Sequence, residues 1–261
     1  MMSGVTRAIA AASFLLLAQA ASAAEIKVYS TIGMRSVLEE LKPKFEQASG
    51  HKLDITWGLA AGMTKRVADG ETPDALVAIR GGIDGLVKDG KIAAPSAVTL
   101  ALSGVGVSVR SGAPKPDIST PEKFKAALLA AKAIAYSDPS KGGASGVHFA
   151  KVAERLGIAD QVKAKSKFPE TAGLPGKLLL DGTAELAISQ VPELLEVHGT
   201  DLVGPLPGDL QNITNFAGGV VTGAKQPDAA AAFLKFLQTP EAVATIKAKG
   251  MEPPPPAAKA S

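Results

Sequence analysis

Residues 25–50 read EIKVYSTIGMRSVLEELKPKFEQASG, a short strand pattern followed by a helical one. In Glu25–Ser30 polar and apolar residues alternate, which is typical of a strand. Apolar residues then recur at the spacing of one helical face, at Val37, Leu38, Leu41 and Phe45. Gly50 predicts the end of this helix, and Pro43 predicts a kink or break inside it.

The same alternation of strand and helix continues along the chain. Further strands are predicted at residues 52–57, 74–79, 103–110, 133–136, 186–189, 201–203 and 212–222. Helices are predicted at residues 63–68, 83–88, 147–156, 174–180, 227–238 and 240–249, with another opened by Thr120-Pro121-Glu122. This order indicates an α/β fold built on doubly wound, mostly parallel sheets flanked by helices.

Two extended segments, 103–110 and 212–222, separate two such blocks and are interpreted as crossovers between two lobes. The first lobe is predicted to comprise residues 24–104 and 220–251, and the second lobe residues 105–219. A cleft between them would collect loops from the carboxyl ends of strands, where α/β sheets usually bind ligands. The tail, residues 252–261, holds four consecutive prolines and is expected to be extended and disordered.

Composition excludes several classes of function. The 261 residues contain no cysteine, which rules out disulfides, thiolate metal sites and a cysteine nucleophile. Lys and Arg number 28 against 25 Asp and Glu, without a dense basic block, so we expect no nucleic-acid partner. His51, His148 and His198 lack metal-site spacing, and no GxSxG motif is present. We therefore expect neither a metal nor another cofactor.

The first 23 residues have the pattern of a cleavable signal peptide. Arg7 supplies the positive charge, Ala8–Ala18 is an apolar run, and Ala21-Ser22-Ala23 fits the small-x-small cleavage rule. The run spans about 11 residues, against about 20 for a bilayer-spanning helix. An uncleaved anchor is the alternative. The pattern predicts a mature chain that begins at Ala24 and is exported, to the periplasm where the cell has an outer membrane.

Two strand-to-helix loops of the first block could bind an anion through backbone groups. The first loop, Ser30–Ser36, offers the Ser30 hydroxyl and the N–H groups around Gly33, Met34 and Arg35 at a helix start. The alternative is ordinary helix capping. The second loop, Gly58–Gly62, consists of small residues, and at Ala61 a ligand could touch the backbone. The alternative there is a plain loop.

Two further loops carry charged or hydroxyl side chains. Arg80 follows an apolar strand and precedes two glycines. Its guanidinium would suit a carboxylate ligand, and a salt bridge to Asp84 is the alternative. The loop Asp138–Gly146 offers Ser140 and Ser145 before a helix, or is a flexible surface loop.

The order of these motifs resembles the molybdate-binding protein family of bacterial ABC importers. The resemblance covers about Ala24–Met251 and is carried by Tyr136-Ser137-Asp138-Pro139, by Glu185-Leu186-Ala187-Ile188 and, most closely, by the helix pattern of residues 225–237, KQPDAAAAFLKFL. It implies a type-2 periplasmic-binding fold with two lobes and two crossovers. It also implies a small anionic ligand, a monomer, and a permease partner in the inner membrane.

The anion-binding positions of the family are only partly retained. Ser30 matches the first-loop serine, but the second-loop serine falls at Ala60 or Ala61, and the tyrosine of the other lobe falls at Gln190. The resemblance implies neutral hydrogen bonds to molybdate, so the charged Arg80 instead favours an organic carboxylate.

The family also includes a branch that resembles a periplasmic aconitate isomerase. Residues Gly112–Ser119 of this chain, GAPKPDIS, are similar to a stretch of that branch. The main hypothesis is a binding protein for transport, and the alternative is an isomerase that moves an allylic proton. Lys141, His148 and Glu193 are the candidates for an acid–base group.

Overall fold

The computed structural model describes residues 23–170 and 173–255. The strands there are β1 Glu25–Thr31, β2 Lys52–Gly58, β3 Ala75–Ile79, β4 Val98–Arg110, β5 Ile134–Tyr136, β6 Ser166–Lys167, β7 Leu186–Gln190, β8 Thr200–Pro205 and β9 Ile213–Val220. The helices are α1 Arg35–Ser49, α2 Ala60–Ala68, α3 Arg80–Lys88, α4 Pro121–Ala130, α5 Ala144–Arg155, α6 Ala159–Ala164, α7 Lys177–Leu180, α8 Val191–Leu195, α9 Pro227–Phe236 and α10 Pro240–Ala248. Strands and helices alternate, as the sequence predicts.

The strands form one nine-stranded sheet with the order β2-β1-β3-β9-β4-β7-β5-β6, and β8 pairs with β4. In the first half, β1 lies parallel between β2 and β3, and β9 runs antiparallel to β3 and β4. In the second half, β5 lies parallel between β6 and β7. Each half therefore contains three parallel strands, and antiparallel strands join the halves.

Strand β4 passes from one half of the sheet to the other. It pairs with β9 up to Gly104 and with β7 from Val105 onward. Strand β9 pairs only with β3 and β4 among the described strands, so it lies wholly in the first half. We therefore propose lobe boundaries at 104/105, as in the sequence prediction, and near 212/213, where the sequence prediction has 219/220.

Each half has its own apolar core on both faces of its sheet. In β3, Ala75 and Val77 pack with α1, α9 and α10, whereas Leu76 and Ala78 face α2 and α3. Burial on both faces explains why this strand is a continuous apolar run. In the second half, α4, α5 and α6 cover one face of β5, and α7 and α8 cover the other.

The α/β fold class is confirmed, and the deviations from the prediction are local. Helix α1 continues through Pro43 without a break. The predicted helix 174–180 is formed only at Lys177–Leu180. Helices α6 and α8 and strand β6 were not predicted, because elements of six residues or fewer show too little periodicity.

Both termini extend beyond the described residues. The predicted signal peptide falls almost entirely on residues 1–22 and the end of the Pro-rich tail on 256–261, which lie outside them. Glu252, where the predicted tail begins, pairs with Leu102 by two backbone hydrogen bonds. Within 23–170 and 173–255 no helix has the length and apolar character needed to cross a membrane.

Candidate functional site

A cavity of about 1010 Å³ lies between the two halves of the molecule. One face of α2 along its whole length and the first turn of α3 bound it on the side of the first half, and α5 bounds it on the side of the second. The start of β9, Asn212–Asn215, completes the wall. The cavity therefore lies where helix N-termini from both lobes converge.

The connections from the preceding strands to α2 and α3 are shorter than the sequence predicts. The predicted loops at 58–62 and 79–82 are reduced to single extended residues, Leu59 and Ile79, before each helix begins. Neither residue has a side chain that caps the helix, and the same is true of Gly143 before α5. The first N–H groups of these helices therefore receive no hydrogen bond from an N-cap side chain and suit an anion.

Two glycines of the 138–146 segment permit close packing at the cavity. Gly142 has φ 76°, and a Cβ there would collide with the Cβ of Ala61 from the other lobe. Gly146 lies in the first turn of α5, and a Cβ there would collide with the carbonyl oxygen of Ser137. The two lobes consequently touch at Ala61 and Gly142, on the cavity wall.

Positive side chains line the cavity from both lobes. Arg80 lies at the first position of α3, and its Nε is 2.8 Å from Oδ1 of Asp84. The Arg80 and Asp84 side chains remain 37% and 44% exposed. Lys65 and Lys151 also line the wall, together with Asp69, whose Oδ2 lies 2.6 Å from the Lys65 ammonium. Arg80 thus forms the alternative salt bridge and also faces the cavity, so the two interpretations of this residue are compatible.

The first predicted loop lies behind the cavity wall. Ser30, Gly33 and Met34 are buried, and none of them lines the cavity. The Ser30 hydroxyl donates to the carbonyl oxygen of Thr31 at 3.2 Å. A Cβ at Gly33 would lie 2.8 Å from the Phe216 ring and 3.3 Å from Oε1 of Glu193. The absence of a side chain at Gly33 therefore makes room for Phe216 of the same half and lets Glu193 of the second half approach closely.

Polar side chains of the second lobe form a buried layer next to the first predicted loop, Ser30–Ser36. The Ser145 and Ser189 hydroxyls lie 3.4 Å apart, and Gln190 Nε2 donates to Thr214 Oγ1 at 2.9 Å. Thr214 lines the cavity, so Gln190 lies one side chain behind the wall. The buried Oε1 of Gln190 has no hydrogen-bond partner in the described part of the chain.

Glu193 is the buried carboxyl group of this layer. Burial raises the pKa of Glu193 to about 7, and the nearby Glu196 acts in the same direction. The hydroxyl of Ser189, which donates to Oε2, and the charge of Arg35 oppose this rise. The dominant cause is the loss of hydration, which penalises the charged carboxylate.

Arg35 is paired across the lobe interface. Its Nε and Nη2 each lie 2.9 Å from Oε1 of Glu196, and the two side chains are only 17% and 22% exposed. The structure therefore places Arg35 in an ion pair between α1 and the end of α8, not on the cavity wall.

Replacing Arg35 by alanine is expected to lower the free energy of unfolding by about 1–3 kcal/mol, since the part-buried Glu196 carboxylate would lose its partner. Urea unfolding monitored by circular dichroism measures this change. The comparison variant Lys65→Ala breaks the exposed Lys65–Asp69 pair, 2.6 Å apart, and should cost about 0.5 kcal/mol or less. Equal effects of the two variants would contradict the structural role of Arg35.

The remaining candidates of the loop Asp138–Gly146 lie away from the cavity. Ser140 is exposed, and its N–H and hydroxyl both donate to Oδ1 of Asp138, at 2.9 and 2.7 Å. Lys141 is also exposed and does not line the cavity. In 23–170 and 173–255 no group of three His, Asp or Glu side chains is arranged to hold a metal ion.

The structure brings Ala61 and Arg80 to the cavity wall and Ser145 and Gln190 just behind it. Sequence reasoning missed Lys65, Lys151, Asn212 and Thr214. The helical spacing of Ala144, His148 and Lys151 on one face of α5 could have identified Lys151.

Comparison with known proteins points to one family. The family model "Bacterial extracellular solute-binding protein" matches residues 26–252. An aconitate isomerase from Pseudomonas sp. is 34% identical over 236 residues, covering 88% of each chain. A molybdate-binding protein from Azotobacter vinelandii is 27% identical over 250 residues, covering 94% of this chain and 97% of its own.

The fold matches solved structures of the same kind. The periplasmic molybdate-binding protein of Azotobacter vinelandii superposes with a TM-score of 0.72 at 19% identity, covering 88% of this chain and 100% of its own. These matches confirm the resemblance to the molybdate-binding family that the sequence motifs indicate.

Proposed function

The chain belongs to the bacterial extracellular solute-binding proteins, and we propose that it binds a small organic polycarboxylate in the cavity between its lobes. The observation that supports this most is the convergence of three helix N-termini without side-chain caps, those of α2, α3 and α5, on one cavity. Their N–H groups favour negative charge, and Arg80 and Lys151 add full positive charges.

The dimensions and chemistry of the cavity favour a polycarboxylate over molybdate. Its volume of about 1010 Å³ lies at the upper end of the range for organic ligands, about 300–1,000 Å³. The Ala61 position lacks a hydroxyl that could bind a small oxyanion, whereas the guanidinium of Arg80 suits a carboxylate. The charges are spread over both lobes, which matches a ligand with several carboxylates.

The role in the cell follows from the family. We propose that the signal sequence of residues 1–23 directs the chain to the periplasm and is removed. The mature protein acts as a monomer, and hinge motion near the two lobe boundaries, 104/105 and 212/213, opens and closes the cleft. It delivers the anion to an ABC permease in the inner membrane. The family's extracellular location supports this proposal.

Polycarboxylates such as citrate and cis-aconitate are expected to raise the melting temperature of the purified chain, whereas molybdate at equal concentration leaves it unchanged. A ligand at 100 times its Kd stabilises the native state by about 2.7 kcal/mol. A thermal-shift panel followed by calorimetry measures both effects. Sub-micromolar binding of molybdate, without a response to di- or tricarboxylates, would reverse the proposed preference.

Isomerisation of an unsaturated tricarboxylate is the second candidate function. It is favoured by the 34% identity to an aconitate isomerase over 88% of the chain. The same cavity would hold the substrate, and a group on its wall would move a proton between two allylic carbons. Mixing the purified chain with cis-aconitate and following the trans isomer by proton NMR separates this function from binding alone.

A further inference from the structure

His148 lies on the cavity wall, one turn into α5. Its Nε2 is 2.8 Å from the carbonyl oxygen of Leu210. Because a carbonyl oxygen only accepts hydrogen bonds, Nε2 carries a hydrogen, and the neutral ring presents Nδ1 as its basic nitrogen. The Leu210 carbonyl thus fixes both the tautomer and the orientation of the imidazole.

The second ring nitrogen is accessible. Nδ1 has no hydrogen-bond partner in 23–170 and 173–255. It is not one of the buried side-chain atoms without a partner in those residues, so the atom itself is not buried. Nδ1 is therefore accessible to solvent, on a residue that lines the cavity. Arg80 and Lys151 line the same cavity as His148, so positive charges that can hold carboxylates lie on the wall that carries the imidazole.

The other acid–base candidates are placed differently. Glu193 is fully buried against Ser189 and Gly33 and does not line the cavity. Lys141 is exposed and also lies outside the wall. Among the three candidates that the sequence offers, only His148 can contact a ligand in the cavity directly.

We propose that His148 is the catalytic base for an allylic proton shift on an unsaturated polycarboxylate, an assignment that rests on the proposed binding of such an anion in the cavity. Nδ1 removes a proton from the CH₂ group next to the double bond. The electron pair of that C–H bond delocalises through the double bond toward a carboxylate held by positive side chains. Nδ1–H then returns the proton to the far vinyl carbon, so the double bond moves and no redox partner is needed.

The test uses His148→Gln in the full mature chain with cis-aconitate. A glutamine amide can still donate to the Leu210 carbonyl, but it has no basic nitrogen. We expect the rate of isomerisation to fall at least 100-fold, as loss of a general base typically causes, while calorimetry shows an affinity within about threefold of the wild type. His51→Gln is the matched control, since His51 directly precedes β2, accepts from the Ala24 N–H and does not line the cavity, and its rate should not change.

Two further measurements separate catalysis from folding. In D₂O the wild type should incorporate deuterium into the aconitate, and His148→Gln should not. His148→Ala should regain part of its rate when imidazole is added to the buffer, which a purely structural role would not produce. Wild-type binding of cis-aconitate without isomerisation or exchange would overturn the catalytic role and leave the binding function intact. An unchanged rate in His148→Gln would overturn it also, and absence of any polycarboxylate binding would overturn both proposals.

Discussion

Replacement of Arg80 by alanine is expected to weaken polycarboxylate binding about 10- to 150-fold. This range corresponds to the loss of a hydrogen bond to a charged group, about 1.5–3 kcal/mol. We expect a large effect because Arg80 opens α3 on the cavity wall, where its guanidinium and the helix N-terminus would both favour a carboxylate of the proposed ligand. Calorimetry with the polycarboxylate that gives the largest thermal shift measures the loss.

Neighbouring variants determine whether the guanidinium itself is responsible. Arg80→Lys should restore only part of the affinity, because an ammonium lacks the two-pronged geometry. Asp84→Asn removes the carboxylate that Arg80 contacts at 2.8 Å and should leave binding unchanged or make it tighter. Arg110→Ala, an exposed residue at the end of β4, should have little effect. If Arg80→Ala binds within about threefold of the wild type, Arg80 serves only its salt bridge with Asp84.

The alternation of strands and helices was predictable because each element carries its own periodic signal. The run ALVAI in β3 shows the pattern of a strand buried on both faces, and helix α1 shows an apolar stripe despite Pro43. Helix α8 was missed because five residues, Val191–Leu195, complete little more than one turn. The passage of β4 between the two halves was recognised as a crossover, but its pairing partners depend on the tertiary fold.

The meeting of loops that follow strands could be predicted, because parallel strands direct their carboxyl ends to one edge of a sheet. Arg80 directly follows β3 and Ala61 lies three residues after the end of β2, and both line the cavity that we propose as the binding site. The partner of Arg35 could not be predicted, since Glu196 is 161 positions away along the chain. The burial of Glu193 could not be predicted either. It results from the packing of α8 against Gly33, a tertiary contact that no local sequence pattern indicates.

Glu193 is expected to make the protein less stable as the pH rises from about 4.5 to about 7. Burial raises its pKa from 4.5 to about 7, so the folded state binds a proton more tightly than the unfolded state does. The stabilising contribution is complete below pH 4.5, declines as the pH approaches 7, and is absent above it. One unit of pKa corresponds to about 1.4 kcal/mol, so the total change is about 3.5 kcal/mol.

The variant Glu193→Gln isolates this contribution from all other titrating groups. Glutamine mimics the protonated carboxyl and accepts the same Ser189 hydroxyl, but it never becomes charged. Urea unfolding at pH 5, 6, 7 and 8 should show the variant gaining stability relative to the wild type, by about 2.5 kcal/mol from the lowest to the highest pH. Glu154→Gln, on the exposed surface of α5, should show a difference from the wild type that hardly changes over this range. A constant difference for Glu193→Gln as well would mean that Glu193 is ionised in the folded protein throughout, and that the buried layer behind the cavity carries a negative charge.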